Sequence, residues 1–463
     1  MTTEPLPERP SLDHLRGQSK DLKRAVLAGD AGALAHAVEH VPGTTADGFT
    51  LSRAHAVIAR HYGFPSWPKL RAHVLLGRWP DEVEPCDDPA DEVLRLACLN
   101  YWEGDHPVRW KQAAALLNAD PTLASRAIHV AAVAGDVEQV RRFLAADPKL
   151  VTTEGGPFRW VPLLYVTYAR IGGDNAPAIT KLLLDAGADP NARYLWHGEY
   201  PFTALTGVFG EGEQGPVRQP RHPAATELAP MLLEAGADPN DLQSLYNRMF
   251  EHDNDHLELL FRYGLDDPEL LRYQLRWAVT HGTDERIRLL LDHGVDVTTP
   301  FDDGRSPAAV ALVNGATRAA GLLVAAGAPP PELSPVDAFV AAAMNGDRDA
   351  IDPNVVEEAR QAWPGLLAWA ASCRRIETVR LLLELGWNVN ALGRGDGLSN
   401  EPWETALHQS VQRHARAMAE LLLERGADPN VRDARFDSTP LDWARHLGED
   451  DLVDLLEPLT ADG

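Results

Sequence analysis

The chain has 463 residues, 43 basic against 68 acidic side chains and a formal charge of −25. That excess of negative charge opposes binding to nucleic-acid phosphates or anionic membrane surfaces and favours a basic or neutral partner, such as a protein carrying a basic patch. Three cysteines, Cys86, Cys98 and Cys373, with no CxxC pair, suit a reducing cytoplasm and supply no zinc framework, and a chain of this length exceeds what one compact core can hold.

Residues 1–11 are acidic and proline-rich and are expected to be a disordered tail, without the basic and apolar regions of a secretory signal. Residues 12–78 read as an N-terminal helical cap. In it LKRAVLAGDAGALAHAVEHVP, from Leu22, gives a helix, a Gly-Asp turn and a second helix, and LSRAHAVIARHYG, from Leu51, puts Ala54, Val57, Ile58 and Tyr62 on one helical face. Phe64, Trp67 and Leu70 are expected to cover an apolar end of the region that follows. Residues 79–90, with five acidic residues and three prolines, have linker composition.

From Asp91 to the end the chain repeats itself. The clearest copy is LLLERGADPNVRD, Leu421 to Asp433: three leucines close an amphipathic helix, Gly426 takes the left-handed conformation that ends it, and Pro429 stops it resuming. STPLDWA follows from Ser438, with Thr439 as cap and Pro440 in the first helical turn. Related endings recur as LLLDAGADPNAR, MLLEAGADPND, LLLDHGVDV, LLVAAGAP and LLLELGWNVNA, and first helices as RAIHVAA, SPAAVAL and TALHQSV. The terminal glycines stand at 187, 236, 264, 294, 327, 386 and 426. The 49-residue gap after Gly187 holds an insertion, and the 59-residue gap after Gly327 hides a degenerate repeat starting near Asp337.

This pattern resembles the ankyrin-repeat family, whose unit of about 33 residues carries a T-P-L-H-x-A first helix and a second helix ending in a G-A-D-type turn. The string from Ala59 to Leu70 resembles a helical segment found ahead of such repeats in bacterial members. The resemblance implies an all-α solenoid of about eleven repeats over 91–463, in which each unit packs only on its neighbours. It also implies a non-enzymatic protein-binding scaffold. His129 and His408 stand at the histidine position of the first-helix motif, where the family uses the ring as a structural link between fingers.

Two loops depart from the pattern: Arg193 to Thr226, with RYLWHGEYPF as a long aromatic finger followed by the insertion GEGEQGPVRQPRHPAA, and the finger LGRGDGLSNEPW from Leu392 to Trp403. Repeat alignment places Trp160, Tyr168, Trp196, Tyr200, Phe202, Phe250, Arg305, Trp403, Glu404 and Arg413 on finger tips and exposed ends of first helices, where partners bind in this family. Aromatics and arginine are the types enriched at interface hot spots. Trp277, Trp369 and Trp443 fall at inward positions and are expected in the core.

No catalytic motif, cofactor or metal is expected. His36-Ala-Val-Glu39-His40 matches H-x-x-E-H, in which two histidines one turn apart hold zinc, but no third ligand is evident. His252 and His256 lie in an inter-helix turn. Gly210-x-Gly212-x-x-Gly215 lacks the strand-to-helix context of a dinucleotide loop and reads as a flexible insertion, and Arg394-Gly395-Asp396 reads as turn composition. Two further function classes remain: an enzyme or small-molecule site in a groove between the long fingers, with Tyr168, His197, Glu199 or His408 as acid–base groups, and an acidic inhibitor that covers a basic surface.

Overall fold

The computed structural model describes residues 12–41, 44–46, 49–64, 67, 70, 85–102, 104–395, 397 and 402–460. The proposed tail, and positions 79–84 of the expected linker, lie outside these residues. The chain is mostly helical and divides into two compact units, Met1–Glu251 and His252–Gly463.

The first unit opens with helices Leu12–Leu27, Ala31–His40 and Leu51–His61. Asp30 caps the second by accepting from the backbone N–H groups of Gly32 and Ala33, and Thr50 caps the third. Phe64, Trp67 and Leu70 pack with Leu15, Ile58 and Tyr62, so they close a core belonging to this segment itself. Consecutive helix pairs follow: Pro89–Ala97 with Pro107–Ala119, Ile128–Ala134 with Val137–Ala146, Pro162–Tyr168 with Ala176–Asp185, and Ala204–Phe209 with Ala225–Glu234, before Leu242–Met249. The first of these starts inside the expected linker, where the Asp88 side chain caps the helix by accepting from the Ala90 N–H.

The structure agrees with the all-α expectation, with one small addition among the described residues. The aromatic finger is an antiparallel β-hairpin, Arg193–Trp196 paired with Tyr200–Thr203 in the register Tyr194↔Phe202 and Trp196↔Tyr200. An aromatic at every second position, Tyr194 and Trp196 on one strand and Tyr200 and Phe202 on the other, favours a half-buried strand over a loop.

The second unit runs from Asp255–Arg262 through six more pairs: Pro268–His281 with Asp284–Asp292, Pro307–Val313 with Thr317–Ala325, Pro335–Met344 with Val356–Ala362, Leu366–Ser372 with Ile376–Glu384, Ala406–Gln412 with Arg416–Glu424, and Pro440–Leu447 with Asp450–Leu456. Ser306, Ser334, Thr405 and Thr439 each accept from a backbone N–H three residues on. The seven terminal glycines all have positive φ, from 75° at Gly294 to 102° at Gly327, as the helix-ending turn requires. Between successive turns the asparagine of one copy grips the next: the Asp428 N–H donates to Asn390 Oδ1 at 2.8 Å, and in the first unit the Asp238 N–H donates to Asn191 Oδ1 at 2.8 Å.

Candidate interaction surfaces

In the first unit the finger aromatics turn inward. Trp160 is 5% exposed, Phe202 3% and Tyr168 0%. Their rings form one cluster with Tyr101 and Tyr194: Trp160 lies 4.5 Å from Tyr194 and 5.1 Å from Tyr168, and Phe202 lies 4.8 Å from Tyr101. The Tyr168 hydroxyl donates to the Thr203 carbonyl at 2.7 Å. Expected exposure is therefore overturned for these three, because the finger folds as a hairpin and lays its inner face on helix Pro162–Tyr168 and its neighbours. Trp196 is half-buried, and Tyr200 stays exposed at the turn end.

The insertion is a built part of this unit. Arg170 is buried, and its guanidinium donates to the carbonyls of Pro220 at 2.8 Å, Gly207 at 2.9 Å and Tyr168 at 3.0 Å, which ties the inserted segment to two helix ends. Glu211 is paired with Arg221 and with the buried Arg248. His222 is 2% exposed; its Nδ1 accepts from the Ala224 N–H at 3.0 Å, and burial, with the Arg170 charge, lowers its pKa to about 3. Gly210 has φ +60° and a Cβ there would meet the Pro220 carbonyl oxygen at 2.3 Å, so its glycine serves close backbone contact and not phosphate binding.

The acid–base candidates have structural partners. His408 Nε2 meets the Ser438 carbonyl at 3.0 Å and its Nδ1 meets Thr405, while His129 Nε2 meets the Thr153 carbonyl at 2.9 Å. Each ring joins its helix to the following loop, and burial lowers both pKa values. Glu199 is paired with Arg16 at 2.8 Å.

In the second unit aromatics and arginines meet at partly open positions. Helix Pro268–His281 has 14 residues, twice the seven of Pro307–Val313. Its middle turns carry Tyr273, Arg276 and Trp277. Trp277, expected in the core, is half-exposed and stacks on His281 with ring centroids 4.1 Å apart, with the Arg286 guanidinium 5.0 Å from its ring centre. Arg276 donates to Asp303 at 2.9 Å; Arg305 pairs with the same carboxylate at 3.4 Å and with Asp337 at 2.6 Å. Burial pushes the Asp303 pKa up, but the hydrogen bonds from Arg276 and the Arg305 backbone prevail and hold it below the usual carboxylate range. The Arg305 guanidinium lies 5.6 Å from the Trp363 ring centre, within cation–π range. Tyr273, Arg276, Trp277, Asp303 and Arg305 line one cleft with a volume of about 170 Å³, and Trp363 and Arg394 line another.

The second finger is pinned as well. Gly393 bridges to Glu404, and the Glu404 carboxylate, 2% exposed, accepts from the Gly395 N–H at 2.6 Å. Arg413 donates to Ser372 Oγ at 3.0 Å. Glu404 is thus a loop anchor, which corrects its expected place on the surface, and Gly395 is an internal turn residue. Trp403 is half-buried, 5.5 Å from Trp443 and 4.5 Å below the Arg435 guanidinium; Phe250, at the end of the first unit, is half-buried too. Trp369 is in the core as expected, but Trp443 is half-buried.

Sequence reasoning missed Tyr273, Arg276, Trp277 and Trp363. The available signal was the length of the apolar periodicity from Pro268, which outruns a seven-residue first helix and shifts the repeat register. It also missed His61. Among the described residues two groups of side chains could each offer three ligand atoms within 4.8 Å of one another: His36, His40 and His61, and Asp253, Asp255 and His256.

Among the described residues no helix is long and apolar enough to cross a membrane. The family model for ankyrin repeats (3 copies) matches residues 339–433, so this stretch of the chain carries ankyrin repeats. No curated protein matches the chain.

Proposed function

We propose that this chain is a non-enzymatic cytoplasmic binding scaffold, an ankyrin solenoid of about eleven repeats whose second unit holds a protein partner. Support for the repeat number is the series of ten helix pairs among the described residues, four in the first unit and six in the second, besides the further helices Leu242–Met249 and Asp255–Arg262. Ankyrin repeats are in general protein-interaction modules. The working residues are Tyr273, Arg276, Trp277, Arg305 and Trp363, with Trp403 and Arg413 further along the same unit.

The observation that carries this reading is that aromatic and arginine side chains are already held in place while still partly open: Arg276 and Arg305 by Asp303 and Asp337, Trp277 by His281. Ordering such groups beforehand removes an entropy cost of binding. Residues 252–463 carry 19 basic and 36 acidic side chains, so a partner with a basic patch would be steered to it. The N-terminal segment serves as cap.

Affinity capture from the source cells, with the intact chain beside a Trp277→Ala/Trp363→Ala variant, identifies partners that need this face. For such a partner each single change should cost about 1–2 kcal/mol of binding, chiefly through faster dissociation, while added salt slows association. Equal binding by the double variant, with loss on removal of the segment before Asp91, would transfer the function to the N-terminal helices.

A further inference from the structure

We propose that His36, His40 and His61 form a three-imidazole site for a divalent transition-metal ion of the zinc class. The sequence showed two of these residues. His36 and His40 stand four apart on helix Ala31–His40, one turn apart on the same face. The third arrives through packing: His61 is the last residue of helix Leu51–His61, and the Arg60 guanidinium donates to the His40 carbonyl at 3.1 Å, which fixes the two helix ends side by side.

The distances suit the chemistry. In a tetrahedral zinc site with Zn–N bonds of about 2.0–2.1 Å, neighbouring ligand atoms stand about 3.3 Å apart. His40 Nε2 and His61 Nδ1 are 3.3 Å apart, and one ring nitrogen from each of the three histidines falls within the 4.8 Å set. The three ring centroids are 4.7, 4.9 and 5.3 Å apart. Small rotations of the half-buried His36 and His61 would bring the remaining pairs to the same separation.

His40, 1% exposed, anchors the cluster inside the fold, and one further observation points to a cation. Both contributing helices, of 10 and 11 residues, end at the cluster, and the carbonyl ends of helices carry partial negative charge that favours a cation. A set of imidazoles with no carboxylate in the ligand trio selects zinc, copper, nickel or cobalt over calcium or magnesium, and three ligands leave a fourth position for water. The site stands apart from the partner reading and neither depends on the other.

The test uses the full chain, stripped with chelator and titrated with Zn²⁺ by calorimetry, with elemental analysis of the loaded protein and Co²⁺ as a spectroscopic substitute. One equivalent should bind, and Co²⁺ should give the intense visible bands of four-coordination. His36→Ala and His61→Gln, both at half-buried positions, should weaken binding at least about tenfold, with unchanged circular dichroism in chelator. His256→Ala should bind as the parent does. Absence of stoichiometric zinc would leave a hydrogen-bonded His40–His61 pair and overturn the proposal. So would zinc that persists in His61→Gln, or that is lost in His256→Ala and therefore belongs to the Asp253–Asp255–His256 group.

Discussion

The two units use the same residue types for opposite ends. In Met1–Glu251 the long finger folds back as a hairpin and its Phe202 joins Trp160 and Tyr168 in the core, while the following insertion is held down by Arg170. In His252–Gly463 the helix pairs stay close to the repeat pattern, Trp277, Trp363 and Trp403 remain half-open beside guanidinium groups, and every one of the 19 basic side chains is an arginine. Arginine suits that setting, because its planar fork can hold a carboxylate and an aromatic face at once. Composition alone does not separate a binding tryptophan from a core one; the fold of the loop that carries it does.

The contrast can be broken in order of expected effect. Arg170→Met leaves the carbonyls of Pro220, Gly207 and Tyr168 without their buried donor, and should cost about 3–5 kcal/mol. Hydrogen exchange read by mass spectrometry should show the loss in the first unit and spare residues 252–463. Leu422→Ala, at a fully buried position of the second unit, should cost about 2–5 kcal/mol and loosen neighbouring repeats first, the reverse localisation.

A smaller effect follows from His222. Its folded pKa, about 3, lies below the ordinary 6.5, because burial and Arg170 disfavour the charged ring. Below pH 6.5 the unfolded chain binds a proton that the folded one refuses, so this contribution is present above 6.5 and is lost as pH falls towards 3. The slope is at most about 1.4 kcal/mol per pH unit. Denaturant melts between pH 7 and 4 should be less pH-dependent in His222→Gln than in the parent. Smallest in stability is Arg305→Lys, which keeps the charge and loses the fork that joins Asp303 to Asp337. It should change unfolding by about 1 kcal/mol or less, while weakening a groove-bound partner measurably by surface plasmon resonance.

Much of the fold was legible because the repeat writes its turns in residues with few alternatives. Gly426 and its six counterparts must supply positive φ, and Thr405 and Thr439 mark helix starts through their hydroxyls. The linking roles of His129 and His408 were legible for the same reason. The aromatic site was not. Whether RYLWHGEYPF projects or folds back depends on contacts with Tyr101 and Tyr168, far away in sequence, and a repeat alignment does not contain them. His61 escaped on similar grounds, since 21 residues separate it from His40. Trp277 was misplaced because the register of a seven-residue helix was carried onto a 14-residue one.

The central claim is that Trp160 is core and Trp277 is binding surface. The most direct test measures both properties on both variants of the full chain: unfolding by denaturant, and affinity for a partner captured through the second unit. Trp160→Ala should cost about 3–5 kcal/mol of stability and leave the affinity of the folded protein unchanged. Trp277→Ala should cost about 1 kcal/mol or less of stability and about 2 kcal/mol of binding. The opposite pattern, a stable Trp160→Ala that no longer binds beside an unfolded Trp277→Ala, would contradict the account.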